Sequence, residues 1–203
     1  MREATLERLA RGTMLRYMLE QKRYVCTVED YRSIPEGGPR YELIEGQMIM
    51  APAPSRQHQK ISRNLQFLIM RYLEEHPIGA IYNAPFDVEL NQFNVFQPDL
   101  VYVRAERASV FTDQGVTGAP DLVVEVLSPK TSKYDLGPKR EVYARSGVSE
   151  LWVIDPESRK LSSYYLQQDN QNPAYAISED AFWESPLFPG LRLSLRQVFE
   201  HGL

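Results

Sequence analysis

Hydrophobic and polar positions alternate in ways that divide most of the chain into elements. The run Asp121-Leu122-Val123-Val124-Glu125-Val126-Leu127 is aliphatic apart from its two acids, and three of its five aliphatic residues are β-branched. Such a run reads as a short strand buried on both faces. From Arg56 to His76, Ile61, Leu65, Leu68 and Tyr72 follow i, i+4, i+7 and i+11, which predicts an amphipathic helix with Arg56, Lys60 and Arg63 on its opposite side. Pro77 and Gly79 stop it. Tyr41 to Ile44 and Gln47 to Met50 flank Glu45-Gly46 and predict a hairpin. Further strands are expected near 80–83, 86–90, 95–103, 151–154 and 161–166, and short helices near 28–33, 105–113, 138–145 and 195–201. Leu6, Leu9, Leu15 and Met18 suggest an amphipathic helical arm over 1–22.

Composition narrows the class. With 43% hydrophobic and 25% charged residues in 203, the chain has enough apolar side chains for a sizeable core, and disorder is not expected. One cysteine, Cys26, excludes an internal disulfide framework and a cysteine-based zinc cluster. No apolar stretch approaches a membrane span, and no apolar signal core opens the chain, so a cytoplasmic protein with no membrane partner is expected. The net charge of −4 argues against a nucleic-acid partner, but the charge is uneven. Between Ser128 and Arg145, Lys130, Lys133, Lys139, Arg140 and Arg145 outnumber Asp135 and Glu141, a local surplus that suits an anionic ligand or a solvated surface.

The chemistry starts from Glu125. An unpaired carboxylate in a doubly buried strand must be protonated, hydrogen-bonded or bound to a cation. Asp99, in Gln97-Pro98-Asp99-Leu100, opens another strand. Lys139 falls in the first turn of the helix expected from Pro138, and shares the inward face of Val142 and Tyr143 at i+3 and i+4. Hard oxygens from Asp99 and Glu125 suit Mg²⁺ (or Mn²⁺), with Lys139 orienting a water or offsetting charge on a phosphate. That set predicts metal-assisted hydrolysis of a phosphodiester. The competing reading is a buried Glu125–Lys139 ion pair that only shapes the fold.

Pro98-Asp99, then Glu125 on a later strand, then a lysine, resembles the PD-(D/E)XK restriction-endonuclease-like superfamily. More narrowly, about 28–199 resembles the Uma-type family of restriction endonucleases. The similarity rests on Tyr41-Glu42-Leu43-Ile44-Glu45-Gly46, Gln97-Pro98-Asp99-Leu100, the stretch from Gly118 to Pro129, Tyr143-Ala144-Arg145-Ser146-Gly147-Val148 and Leu151-Trp152-Val153-Ile154-Asp155-Pro156. The wider superfamily would place lysine where Leu127 stands; in the Uma-type pattern it has moved to the next helix, where Lys139 matches. The resemblance adds Glu42 as an acid that completes such a site; an exposed acid on a hairpin is the alternative. His58, on the apolar side of its helix, either faces the site or is a satisfied core residue.

The resemblance implies an α/β fold, with a restriction-endonuclease-like mixed central sheet flanked by helices and an additional β-rich region. Residues 23–203 are then one nuclease-like domain. It further implies a Mg²⁺-dependent DNA endonuclease using Asp99, Glu125, Lys139 and Glu42, with Lys130, Lys133, Arg140 and Arg145 on DNA phosphates. A homodimer is expected, because a duplex cutter needs two sites. The rivals are a catalytically inactive nucleic-acid-binding module on the same fold and a structural protein.

Overall fold

The computed structural model describes residues 25–35 and 37–200. The arm expected at 1–22 and His201 lie outside them. The first half runs α1 (Val28–Arg32), β1 (Tyr41–Ile44), β2 (Gln47–Met50), α2 (Arg56–Glu75), β3 (Gly79–Asn83), β4 (Asp87–Asn91), β5 (Asn94–Phe96) and β6 (Leu100–Arg104). A 3₁₀ turn over Ala105–Val110, β7 (Gly115–Thr117) and β8 (Leu122–Val126) follow. The single turn α3 (Ser132–Tyr134) leads through a widened turn, Asp135–Lys139, into α4 (Arg140–Ser146). The rest comprises β9 (Glu150–Asp155), β10 (Lys160–Tyr165), β11 (Tyr175–Ser178), β12 (Phe182–Trp183), β13 (Leu193–Ser194) and α5 (Leu195–Glu200).

Two sheets dominate. The six-stranded sheet has the order β11-β10-β9-β8-β6-β3, with β8 and β9 parallel and the other pairs antiparallel. The five-stranded sheet has the order β2-β1-β5-β4-β7. Parallel strands need a crossover, and the segment carrying Lys139 supplies it between β8 and β9. The fold is therefore a mixed α/β architecture with extra β structure, as the resemblance implies.

All five residues of β8 are buried. Period two sends Leu122, Val124 and Val126 into one core with Ile61, Leu65 and Ile69 of α2, and with Tyr102, Trp152 and Phe188. Val123 goes into a second core with Val142, Tyr143, Leu151 and Val153, beneath α4. Glu125 alternates with Val124 and Val126, so it points to the α4 side. That parity is what brings Lys139 and Glu125 together.

One expected strand, 95–103, is two strands in different sheets. It breaks at Gln97-Pro98-Asp99, leaving β5 in the five-stranded sheet and β6 in the six-stranded one. Pro98 has no N–H for a ladder, and that suffices to end the strand there. The Glu45-Gly46 hairpin forms as read, with φ of 48° and 75° at its two turn residues, the left-handed pair that a two-residue hairpin requires. The helix expected at Pro138 starts at Arg140, because the helical run is interrupted at Gly137, the residue before proline. Gly147 at φ 97° ends it. β7 was not anticipated; three residues are too few to show a period.

Leu65 lies fully buried where α2 meets the central sheet. Leu65→Ala should cost about 2–5 kcal/mol, read as a lower urea midpoint at unchanged slope. A loss below about 1 kcal/mol would mean that α2 is anchored elsewhere.

Candidate active site

Lys139 lies at the centre of an acidic cluster. Its Nζ is 2.7 Å from Glu125 Oε1, 2.9 Å from Glu42 Oε1 and 3.3 Å from Asp135 Oδ1, and the side chain is 3% exposed. Each acid arrives on a different element. β8 brings Glu125, β1 brings Glu42 from the other sheet, and the widened turn places Asp135 one turn before the lysine. Tyr143 OH donates to Glu125 Oε1 at 2.7 Å, and Gln97 N donates to Glu42 Oε1 at 2.8 Å. Phe96 lies under the ammonium, its ring centre 5.5 Å away.

Asp99 stands just before β6. The register pairs Leu100 with Val124, so Asp99 lies across from Glu125. Its Oδ2 accepts Val126 N–H at 2.7 Å, which extends the ladder through a side chain. His58 Nε2 approaches the same oxygen at 3.2 Å. The helix cap sets this up, since Ser55 Oγ accepts His58 N–H and fixes the first turn of α2 over the end of the sheet.

The charges do not balance. One ammonium faces two buried carboxylates, Glu125 and Asp135, and the half-buried Glu42. Burial pushes the Glu125 carboxyl well above its usual range, and Lys139 offsets only part of that. Asp135 is raised for the same reason, again with Lys139 opposing. For Lys139, burial pulls the other way, but Glu125 and Glu42 outweigh it and hold the ammonium charged well above its ordinary range. Burial and the Glu125 charge keep Tyr143 protonated as a donor. Burial alone would lower His58; the hydrogen bond and charge of Asp99 reverse the sign and raise it.

These groups form the floor of an open cleft of about 1410 Å³, lined also by the start of α2, the Asn83-Ala84-Pro85 turn and the loop after β8. Asp99, Glu125, Lys139, Glu42 and His58, each read from the sequence, converge there. Of the four expected phosphate contacts, Lys130 lines the cleft, whereas Lys133, Arg140 and Arg145 do not. Lys133 lies over the Tyr134 ring, Arg140 over Tyr164 with a bond to Gln171 O, and Arg145 pairs with Glu45 at 2.8 Å. Asp135 was missed, although its i, i+4 spacing from Lys139 was a usable signal. Arg40 and Arg63 also line the cleft. Arg63 had been placed on the far side of its helix.

The donor set suits a hard divalent cation, being carboxylate oxygens with an excess of negative charge. Among the described residues no group of three or more Asp, Glu, His or Cys side chains is placed to hold a metal together. A pair such as Asp99 and Glu125 could hold an ion with few protein ligands, a count that Mg²⁺ tolerates.

The model of the Uma2 family, described as "Putative restriction endonuclease", matches residues 28–196. The chain belongs to the Uma2 family. It is also 30% identical over 132 residues to the uncharacterized protein slr1290 of Synechocystis sp., covering 64% of this chain and 68% of that one. Among solved structures it is similar to one described as a putative nuclease belonging to DUF820, from Anabaena variabilis. That likeness has a TM-score of 0.72 at 23% identity and covers 85% of this chain and 97% of the other. It shows that this Uma2 chain shares the fold of that protein.

If Lys139 neutralises the Uma2 acid cluster, Lys139→Met should cost about 3–5 kcal/mol near neutrality. The sign with pH follows from the raised carboxyls. Glu125 and Asp135 are raised in the folded state, so their protonated forms favour folding below about pH 4, and that support is lost as pH rises through the folded values. Losing the lysine raises them further. The stability gap between wild type and variant, measured as urea midpoints in EDTA, should widen from acid to neutral pH. A gap independent of pH would show that the lysine is only packing.

Proposed function

We propose that this Uma2 protein is a metal-dependent DNA endonuclease, with Asp99 and Glu125 as metal ligands. The observation that carries the reading is the meeting of Glu42, Asp99, Glu125 and Lys139 on the floor of an open cleft. Hydrolysis adds water across one P–O ester bond and leaves a phosphate monoester and an alcohol. A bound Mg²⁺ or Mn²⁺ would supply a more acidic water and charge neutralisation at the phosphate. The chain's own residues do the rest. His58 and the Val126 N–H fix Asp99, while Tyr143 and Lys139 fix Glu125. Glu42 tethers the lysine, whose charge offsets the charge that builds on the phosphate. Because the surrounding carboxylates hold this ammonium in place, it does not have to reorganise during the reaction.

One observation favours a second reading, a catalytically inactive nucleic-acid-binding module. Lys139 already engages the Glu125 and Glu42 oxygens, and no larger metal-binding group occurs among the described residues.

Incubation with circular single- and double-stranded DNA under Mg²⁺, Mn²⁺ or EDTA separates the two. We expect cutting with metal, none in EDTA, and none from Glu125→Gln, which keeps the shape of the side chain. Lys139→Met should lose roughly 10²–10³-fold in rate. Mg²⁺ should also raise the melting temperature of wild type by mass action and leave Glu125→Gln unmoved. Metal-independent cutting, or cutting by Glu125→Gln, would refute the assignment. DNA binding without cutting under any metal establishes the inactive module.

A further inference from the structure

The cleft changes character from floor to mouth. Arg40, Arg63 and Lys130 line it, and among the described residues no carboxylate forms an ion pair with any of them. Arg63 reaches the Asn64 side chain at 3.1 Å, a bond to a neutral oxygen that leaves its charge unneutralised. Beside these cations the wall carries amides: Gln66 Nε2 donates to Asn83 Oδ1 at 3.1 Å, joining α2 to the end of β3. The lining turn Asn83-Ala84-Pro85 is bracketed by Tyr82 and Phe86, whose rings stack at 4.6 Å and 5°. Tyr82 alternates with the lining residue Asn83 along the edge strand, so it stands beside the cleft and not in its lining; its ring also meets Phe111 at 5.3 Å, and it remains 41% exposed.

We propose that the DNA entering this cleft is a single strand, an inference that rests on the nuclease reading of the same site. Its phosphates lie along Arg40, Arg63 and Lys130, and a base leaves the cleft over Tyr82. Charge decides between single strand and duplex. A duplex-binding protein commonly neutralises about 6–10 phosphates. Besides Lys139 on the acidic floor, three cations line this cleft, Asp155 and Glu157 line it too, and the whole chain is −4. That is too little for a duplex footprint. Single strands need less charge, because exposed aromatic faces take up the unpaired bases and add sequence-tolerant affinity. The Gln66 and Asn83 amides line the same cleft and can bond the edge of an unpaired base. No such edge is free in a paired duplex except through the grooves.

Binding in EDTA tests this without cutting. Fluorescence anisotropy compares a labelled DNA single strand with the same sequence as a duplex and as single-stranded RNA, for wild type, an Arg40→Gln/Arg63→Gln double variant and Tyr82→Ala. We expect the DNA strand to bind at least about tenfold tighter than the duplex. The double variant should lower the salt slope by about 1.4, at ~0.7 per phosphate contact on a single strand. Tyr82→Ala should weaken binding roughly 5- to 150-fold with the slope unchanged. Circular dichroism melts identify any variant that has unfolded, and Tyr82→Leu then replaces Tyr82→Ala. Equal or tighter duplex binding overturns the proposal. So does tighter RNA binding, or wild-type affinity and slope in folded variants. The nuclease reading fails separately: strand-selective binding without metal-dependent cutting would refute that reading and keep this one.

Discussion

An ammonium group that is 3% exposed must have its charge met by neighbouring atoms, and Lys139 meets that requirement with oxygens from β1, from β8 and from its own preceding turn. Glu42 belongs to the five-stranded sheet and Glu125 to the six-stranded one. The lysine therefore pins the two sheets at one point. The same seam contains the chain's passage from β5 to β6, where Gln97 N–H secures Glu42 and Asp99 secures the end of β8. Replacing the pair by apolar side chains would serve stability as well or better. What the polar version adds is a fixed set of carboxylates at the edge of an open cleft.

The surplus of acid gives that set its chemistry. A fold needing only a tie between sheets would be satisfied by one acid and one base. Here Glu125 and Asp135 are both raised by burial despite the lysine, so the cluster takes up protons or attracts a cation. Strained charge of this kind lowers stability and concentrates at functional sites. Tyr143 shows how tightly the arrangement is built. It is a fully buried core side chain that packs edge-on against Phe96, and its hydroxyl is still placed on Glu125.

Much of this was legible in the sequence because it follows from short periods. Five apolar neighbours isolated Glu125, and period two gave it a face. The i+3 and i+4 positions of Val142 and Tyr143 turned Lys139 inward, and the apolar stripe of α2 carried His58 toward the sheet. What stayed hidden depends on long-range pairing or on a broken period. Glu42 was reached through the resemblance and not through any period, since its place depends on β1 pairing with β5, the strand that Pro98 separates from β6. Asp135 sat in what read as a polar loop, since Gly137-Pro138 interrupts the helix that relates it to Lys139. The basic stretch after Glu125 was visible as composition, but composition has no direction: Lys130 turns into the cleft while Arg140 and Arg145 lie against Tyr164 and Glu45.

On the proposed reading, the acidic floor and the basic mouth make DNA binding and chemistry depend on one another. Phosphates are drawn to Arg40, Arg63 and Lys130, but the carboxylates below repel them. Coulomb interactions in a half-buried cleft are several times stronger than in water, so that repulsion is not screened away. A cation held by Asp99 and Glu125 would offset that repulsion. It would then serve both the hydrolysis and the approach of the scissile phosphate to the floor. A strand would rest at the mouth without metal and reach the position where it is cut only at a metal-loaded site.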